Sequence, residues 1–345
     1  MATSPLEKAT LRRQRVLALL SDGEFHSGEP IAKRLRISRA GVWKIIEALR
    51  ELGIEIESLP RQGYRLPQAV DLYSKDSIVA ALSPVAKTAL VRTDVLLSVD
   101  STNRFVRDID AALQAGQAQL CVAELQNAGR GRRGRSWIAP FGSGICMSVG
   151  WQFAEAPPTF SALSLAVGVA VVSAVRGFGA ADVGLKWPND LLWKGRKLGG
   201  ILIEMRGESA GPSHVVIGIG INMRMPASVR LTLAEQQAAL IADVHEVMRE
   251  RTPNRNVLVA AIVNELVAML NTFAREGFAP FHAAWRELDS YADAAVKVLN
   301  GAQTTLGIAR GVDSDGTLLV DVDGEMRRFA SGEVSLRPMP QRSRT

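Results

Sequence analysis

The chain has 345 residues, 47% of them hydrophobic and 22% charged, and a formal net charge of +6. This composition excludes a disordered or fibrous chain, and the length suits two or three domains with cores of their own. Two cysteines exclude a disulfide scaffold, four scattered histidines suggest no metal site, and the longest apolar run, 162–175, is too short to span a bilayer.

Charge is unevenly spread. Residues 1–66 carry 12 Lys and Arg against 8 Asp and Glu, leaving +4 there and +2 for all the rest. A basic N-terminal module points to nucleic acid. A helix is predicted over 11–20, ending near Gly23, and a second after Ser27, a suitable cap. A third begins at Ser38, where Val42, Ile45, Ile46 and Leu49 form one apolar stripe, and Gly53 ends it. Arg39, Trp43, Lys44 and Glu47 lie opposite that stripe. Two short helices, the second amphipathic and basic, make a helix-turn-helix pattern. The alternation over 54–57, the turn at 60–63 and Tyr64-Arg65-Leu66 predict a hairpin, so 1–66 reads as a winged helix. Ser38, Arg39, Trp43 and Lys44 would face DNA, with Arg61 on the wing reaching phosphate. A three-helix module that binds protein is the competing reading. A single module binds DNA weakly, so two modules on two half-sites, hence a dimer, are expected.

Residues 67–71 read as a linker. Strand-like runs at 95–99, 120–124, 145–153, 184–187, 200–204 and 215–221 then alternate with helical runs at 103–114, 161–176 and 257–275. This pattern predicts a mixed α/β domain on one sheet. Cys121 and Cys146 fall in its apolar strands and read as core thiols of a reducing compartment, the cytoplasm. From about residue 295, short strands at 296–299, 304–309, 318–322 and 325–329 predict a small β-barrel of SH3-like size, with turns at Asn300-Gly301 and Asp323-Gly324.

Between two of the central strands stands Gly129-Arg130-Gly131-Arg132-Arg133-Gly134-Arg135, followed by Ser136-Trp137. Its glycines match G-x-G-x-x-G, but Pro140, Gly142 and Gly144 leave no room for the crossover helix of a dinucleotide fold. The chain contains no phosphate-binding P-loop sequence. The segment reads instead as an active-site loop: glycines let backbone approach a ligand, and arginines grip carboxylate and phosphate oxygens. Mutual repulsion among four arginines predicts that an anionic ligand orders it as a lid. A second cluster, "KWPNDLLWKGRKLGGILIE", puts Lys186, Asn189 and Asp190 at a strand end, turns at Lys194-Gly195, and places Lys197 before Gly199 and Gly200. Asn222 ends the apolar "GIGIN" strand, and Ser101-Thr102-Asn103 opens a helix directly after a strand. A helix start offers free N–H groups to a ligand.

In this order "DSTN", "AELQNAGRGRRGRSW", "KWPNDLLW", "RKLGGILIE" and "GIGIN" resemble the motifs of biotin–protein ligases. With the winged helix, the chain is similar to the bifunctional bacterial biotin ligases and biotin-operon repressors from about residue 17 to 338. The resemblance implies an α+β multidomain protein: a winged helix-turn-helix over 1–66, a mixed α/β, class-II-synthetase-like ligase domain over 72–290, and an SH3-like barrel over 291–338. It implies that biotin and MgATP give biotinyl-5′-AMP and pyrophosphate, and that a lysine of the biotin carboxyl carrier protein of acetyl-CoA carboxylase then takes the biotin. It also implies that the adenylate-bound homodimer represses at operator DNA, without a membrane partner. Ser101, Thr102, Asn103, Gln126, Arg130, Gly131, Arg132, Lys197 and Gly200 match biotin positions, with Arg132 and Lys197 catalytic. Arg130, Arg133, Arg135, Trp137, Asn189, Asn222 and Arg337 match ATP positions, and Asp190 a Mg2+ partner. The segment after Asn222, "MRMPASVRLTLAEQQAAL", departs from the family's second adenylate-closing loop in having Pro226 and no aromatic residue, which implies a weaker or different dimerisation switch. Two other readings are a biotin sensor that represses without ligase activity and a ligase for lipoate or another acyl group.

Overall fold

The computed structural model describes residues 5–109, 112–157, 160–207, 211–237, 240–300, 303–330 and 334–338. Helices α1 (Pro5–Leu20), α2 (Gly28–Leu35) and α3 (Arg39–Glu51) are followed by an antiparallel hairpin of β1 (Glu57–Leu59) and β2 (Gly63–Arg65). Val16, Leu17 and Leu20 of α1, Ile31 and Leu35 of α2, and Val42, Ile46 and Leu49 of α3 close one core. The Ser38 hydroxyl accepts from the Gly41 N–H and caps α3, whereas Ser27 precedes α2 without a side-chain cap bond. The hairpin begins later than its sequence suggests. Ile54 and Ile56 are buried beside the helices, and pairing starts only at Glu57. Alternation over 54–57 marked burial of an extended segment rather than its pairing.

Two short helices, α4 (Lys75–Ala80) and α5 (Pro84–Ala89), lead into a seven-stranded sheet. Its elements in chain order are β3 (Leu90–Val99), α6 (Thr102–Asp108), β4 (Ala118–Gln126), β5 (Gly144–Phe153), α7 (Phe160–Gly177), β6 (Val183–Lys186), β7 (Asp190–Trp193), β8 (Arg196–Gly207) and β9 (Ser213–Asn222). After them come α8 (Ala227–Gln237), α9 (Val244–Met248), α10 (Arg255–Glu276) and α11 (Ala279–Leu288). The spatial order is β3-β4-β5-β9-β8-β7-β6, with β3 and β4 parallel and every other pair antiparallel. The helix predicted over 103–114 stops at Asp108; its last turn is closed by the Gln119 amide, which donates to Val106 O at 2.9 Å.

Period-two alternation decides what lies on each face. In β5, Ile145, Met147, Val149 and Trp151 point into the main core; in β9, Val215, Ile217, Ile219 and Ile221 do so. Helices α7 and α10 cover that face. By length and composition α10 could cross a membrane, unlike the 162–175 run. It serves here as a core helix, with Leu258, Ile262, Val263, Leu266, Leu270 and Phe273 fully buried. The opposite face carries smaller side chains and is covered at one end by α6, through Val106 against Cys121 and Val216.

The C-terminal strands β10 (Ala295–Asn300), β11 (Gln303–Val312), β12 (Leu318–Val322), β13 (Glu325–Phe329) and β14 (Val334–Pro338) form an antiparallel sheet ordered β13-β12-β11-β10-β14. Its fourth predicted strand ends the sequence pattern, but a fifth, β14, pairs with β10. Asp323 and Gly324, both with positive φ, make the tight turn their dipeptide suggested. Val296, Val298, Leu318, Val320 and Leu336 continue the main core, and the Trp187 indole N–H donates to Gly316 O at 3.1 Å.

Candidate active site

The less crowded face of the sheet holds a cavity of about 280 Å³. Its floor is nearly bare. Gly218 and Gly220 stand on the cavity side of β9, and Gly200 of β8 lies opposite Gly220. A Cβ on Gly218 would come within 2.1 Å of Asn103 Oδ1, and one on Gly220 within 2.3 Å of Trp137 Cε2. Only glycine lets those two side chains lie flat on the strand.

One end of the cavity is an uncharged hydrogen-bonding cluster. Thr102 donates from its backbone to Gln126 Oε1 at 2.8 Å, and its hydroxyl does so at 3.1 Å. The Ser148 hydroxyl bridges to Thr102 Oγ1 at 2.7 Å and Asn103 Oδ1 at 2.6 Å. Asn103 Nδ2 donates to Glu204 Oε2 at 2.8 Å and Leu202 O at 3.2 Å. Ser101 lines the cavity as well but makes no cap bond, so the helix start is tied to Gln126 rather than to its own N-cap.

The other end is cationic. Lys197 Nζ lies 2.7 Å from Asp190 Oδ1 and 5.7 Å from the centre of the Trp137 ring. Lys186 Nζ stands 3.6 Å from Asp190 Oδ2. Burial alone would raise the Asp190 carboxyl, but Lys197 and Lys186 outweigh it and hold it below the usual carboxylate range. Arg132 donates to Asn189 Oδ1 at 3.3 Å. Burial lowers its guanidinium from the ordinary value, and the nearby charges of Arg133 and Arg135 act in the same direction.

Folded back as a tight hairpin, the glycine-arginine loop forms one wall. Trp137 N–H donates to Gly129 O at 2.9 Å and Gly131 N–H to Arg135 O at 2.7 Å. At its tip Arg133 and Gly134 both adopt positive φ. Gly129 permits the base of the hairpin, since a Cβ there would lie 2.3 Å from Trp137 O.

Ser101, Thr102, Asn103, Gln126, Arg130, Gly131, Arg132, Arg133, Arg135, Trp137, Asn189, Asp190, Lys197 and Gly200 therefore converge on one cavity from five separate stretches of sequence. Asn222 does not line it. That amide is buried and donates to Lys197 O at 3.2 Å and Ala242 O at 3.0 Å, which locks the strand end. The Arg337 side chain lies outside the described residues. Asp190, expected at a metal, accepts from two lysines, and among the described residues no cluster of three or more His, Cys, Asp or Glu side chains occurs. Ser148 and Glu204 were missed from sequence. Each lies behind the cavity lining, bonded to Asn103, on the same side of the sheet as Gly218 or Gly200, a signal that a strict period-two reading of β5 and β8 would have exposed.

On the N-terminal module, Arg39, Lys44 and Arg61 are exposed and Trp43 is 54% exposed, all on α3 or the hairpin turn. Ser38 is exposed as well, and its hydroxyl accepts from the Gly41 N–H and so caps α3.

A cavity with a hydroxyl-and-amide end and a cationic end, on a mixed sheet joined to a helix-turn-helix module, suits an anionic ligand with an uncharged polar body. Residues 95–222 match the biotin/lipoate A/B protein ligase family, residues 12–65 an HTH domain, and residues 294–337 the biotin protein ligase C-terminal domain. The chain is 38% identical to the bifunctional ligase/repressor BirA of Salmonella typhimurium, over 93% of this chain and 96% of that protein. It is also 38% identical to BirA of Escherichia coli K12, over 94% and 96% respectively. Its fold is shared with the biotin protein ligase from Aquifex aeolicus in complex with biotin and ATP, at a TM-score of 0.60 and 24% identity, over 72% of this chain and all of that one. The chain belongs to the family of bifunctional biotin ligase/repressors.

Proposed function

We propose that this protein joins biotin to AMP and then to a lysine of the biotin carboxyl carrier protein of acetyl-CoA carboxylase, and that the adenylate-bound homodimer represses transcription at operator DNA in the cytoplasm. The observation that carries this reading is the two-ended cavity over a glycine floor. An uncharged ring system with polar edges suits the Ser148–Thr102–Asn103–Gln126 end, and a carboxylate meeting a phosphate suits Arg132 and Lys197 at the other.

In the first step a carboxylate oxygen of biotin attacks the α-phosphorus of ATP, and pyrophosphate leaves. Two anions must be brought together, so catalysis is chiefly positioning and charge neutralisation. Arg132, steered by Asn189, neutralises the approaching carboxylate and phosphate. Lys197 exchanges Asp190 for the developing charge on phosphate. Arg133 and Arg135 stand over the phosphate side, and Trp137 flanks the adenine side. Magnesium enters with ATP and supplies charge neutralisation; Asp190 is the carboxylate in the cavity lining that would hold it, one being enough beside phosphate oxygens. In the second step the carrier lysine amine attacks the acyl carbon of the mixed anhydride, and AMP leaves with the bonding pair. The loop at 129–137 closes over the adenylate and shields it from water.

The reading divides the chain into a winged helix over 1–66, a class-II-synthetase-like ligase domain over 72–290 and an SH3-like closed barrel over 291–338. Arg39, Trp43 and Lys44 face DNA, and Arg61 reaches phosphate. The test is biotin-dependent exchange of pyrophosphate into ATP, followed by labelling of a carrier domain. Activity with lipoate or octanoate in place of biotin refutes the substrate, and adenylate formation without transfer refutes the second step. Removal of residues 1–66 should abolish operator binding while leaving exchange intact.

A further inference from the structure

Arg130 lines the cavity with the loop's other arginines, but its guanidinium is held by a carboxylate. Its Nη2 lies 3.0 Å from both carboxylate oxygens of Glu204. Glu204 Oε2 also accepts the Asn103 amide at 2.8 Å, and Arg107 Nη1 stands 3.7 Å from Oε1. One carboxylate thus gathers three pieces of chain: α6, the stem of the glycine-arginine loop, and β8. The Asn103 amide has no remaining freedom to flip, because its oxygen accepts from Ser148 and both hydrogens are donated, to Glu204 and Leu202.

We propose that Glu204 is a positioning residue for the acid substrate, joining the amide cluster at one end of the cavity to the loop that closes over it. The inference deepens the proposed function and rests on it for its kinetic arm. Arg130 on this view is a strut rather than a ligand donor. It sets the loop stem over the cavity, so Gly131 and Arg132 arrive in register with Asn103. An ordinary surface ion pair would contribute little to anything. What distinguishes this one is the shared acceptor: losing the charge frees the loop, and losing the whole side chain unsettles Asn103 as well.

The test is a double-mutant cycle of Glu204→Gln and Arg130→Ala in the full chain, with melting temperatures measured alongside. Glu204→Gln keeps an acceptor for Asn103 but removes the ionic hold on Arg130. Each single variant should raise KM for biotin about tenfold with kcat changed less than about threefold, as expected for a lost charge-assisted hydrogen bond. The double variant should be no worse than the worse single one. Glu204→Leu, which removes both contacts, should raise KM about tenfold further. With no ligand added, backbone hydrogen exchange over 129–137 should be faster in Glu204→Gln than in the native chain. Multiplicative effects in the double variant, or unchanged exchange over 129–137, overturn the proposal. If the native chain shows no biotin-dependent exchange of pyrophosphate, the proposed function fails, and the exchange of backbone hydrogens still decides whether Glu204 holds the loop.

Discussion

Gly218→Ala should cripple acid binding by displacing the Asn103 amide. The new methyl would sit 2.1 Å from Asn103 Oδ1, and 2.8 and 3.0 Å from the next two atoms of that amide. Ordinary contact begins near 3.4 Å, so the Asn103 amide must retreat by about 1.3 Å. It cannot do so while keeping its bonds to Ser148 at 2.6 Å and Glu204 at 2.8 Å. One lost neutral bond costs about 1 kcal/mol and one to a carboxylate about 2, so the site loses about 3 kcal/mol, near a hundredfold in affinity. Isothermal titration of biotin into the variant measures this directly, with thermal unfolding run in parallel to show an intact fold. A variant that melts like the native chain and binds biotin within threefold of it would refute the argument that a bare strand sets the cavity floor.

Lys197→Met removes the cation nearest Asp190 and Trp137, and should slow adenylate formation by about 10²–10³-fold in single-turnover assays. Arg255→Met strands the Glu124 carboxylate, which is paired at 2.6 Å and almost wholly buried, and should destabilise the chain by about 3–5 kcal/mol in denaturant unfolding. Asp289 has its carboxyl raised from 3.8 to about 6, chiefly by burial. Its protonated form is therefore favoured on folding, and the associated stability is full below pH 3.8 and lost as pH rises through about 6. Relative to Asp289→Asn, the native chain should lose about 3 kcal/mol between those limits, measured by urea unfolding; a flat difference would remove burial as the cause.

Much of this architecture is legible in the sequence because local pattern and tertiary fold agree. The apolar stripe at Val42, Ile45, Ile46 and Leu49 gave α3, and the Asp323-Gly324 turn between two strands came out as expected. The cavity residues were found through motifs, and the fold brought fourteen of those positions together. Sequence says least where a polar residue has two possible employers. Asn222, Asp190, Arg130 and Ser38 all carry groups fit for a ligand, but each is engaged by a backbone or side-chain partner remote or hidden in sequence. Small helices such as α4, α5 and α9 escaped because five or six residues cannot establish a helical period. Ser148 and Glu204 escaped for the opposite reason, being single polar residues within strong apolar runs.

Phe141 belongs by position to the ligase half of the molecule, but it is buried in the same apolar cluster as Val16, Ile46 and Leu49 of the N-terminal helices. Next to it, Gly142 sits so close to Val70 that a Cβ would lie 2.7 Å from that side chain. Only three residues separate Phe141 from Trp137, whose indole rests on the cavity floor at Gly220. The outgoing leg of the arginine hairpin is thus a short span with one end on the cavity floor and the other seated in the core of the N-terminal module, so a displacement at the cavity has three residues to cross before it meets that core.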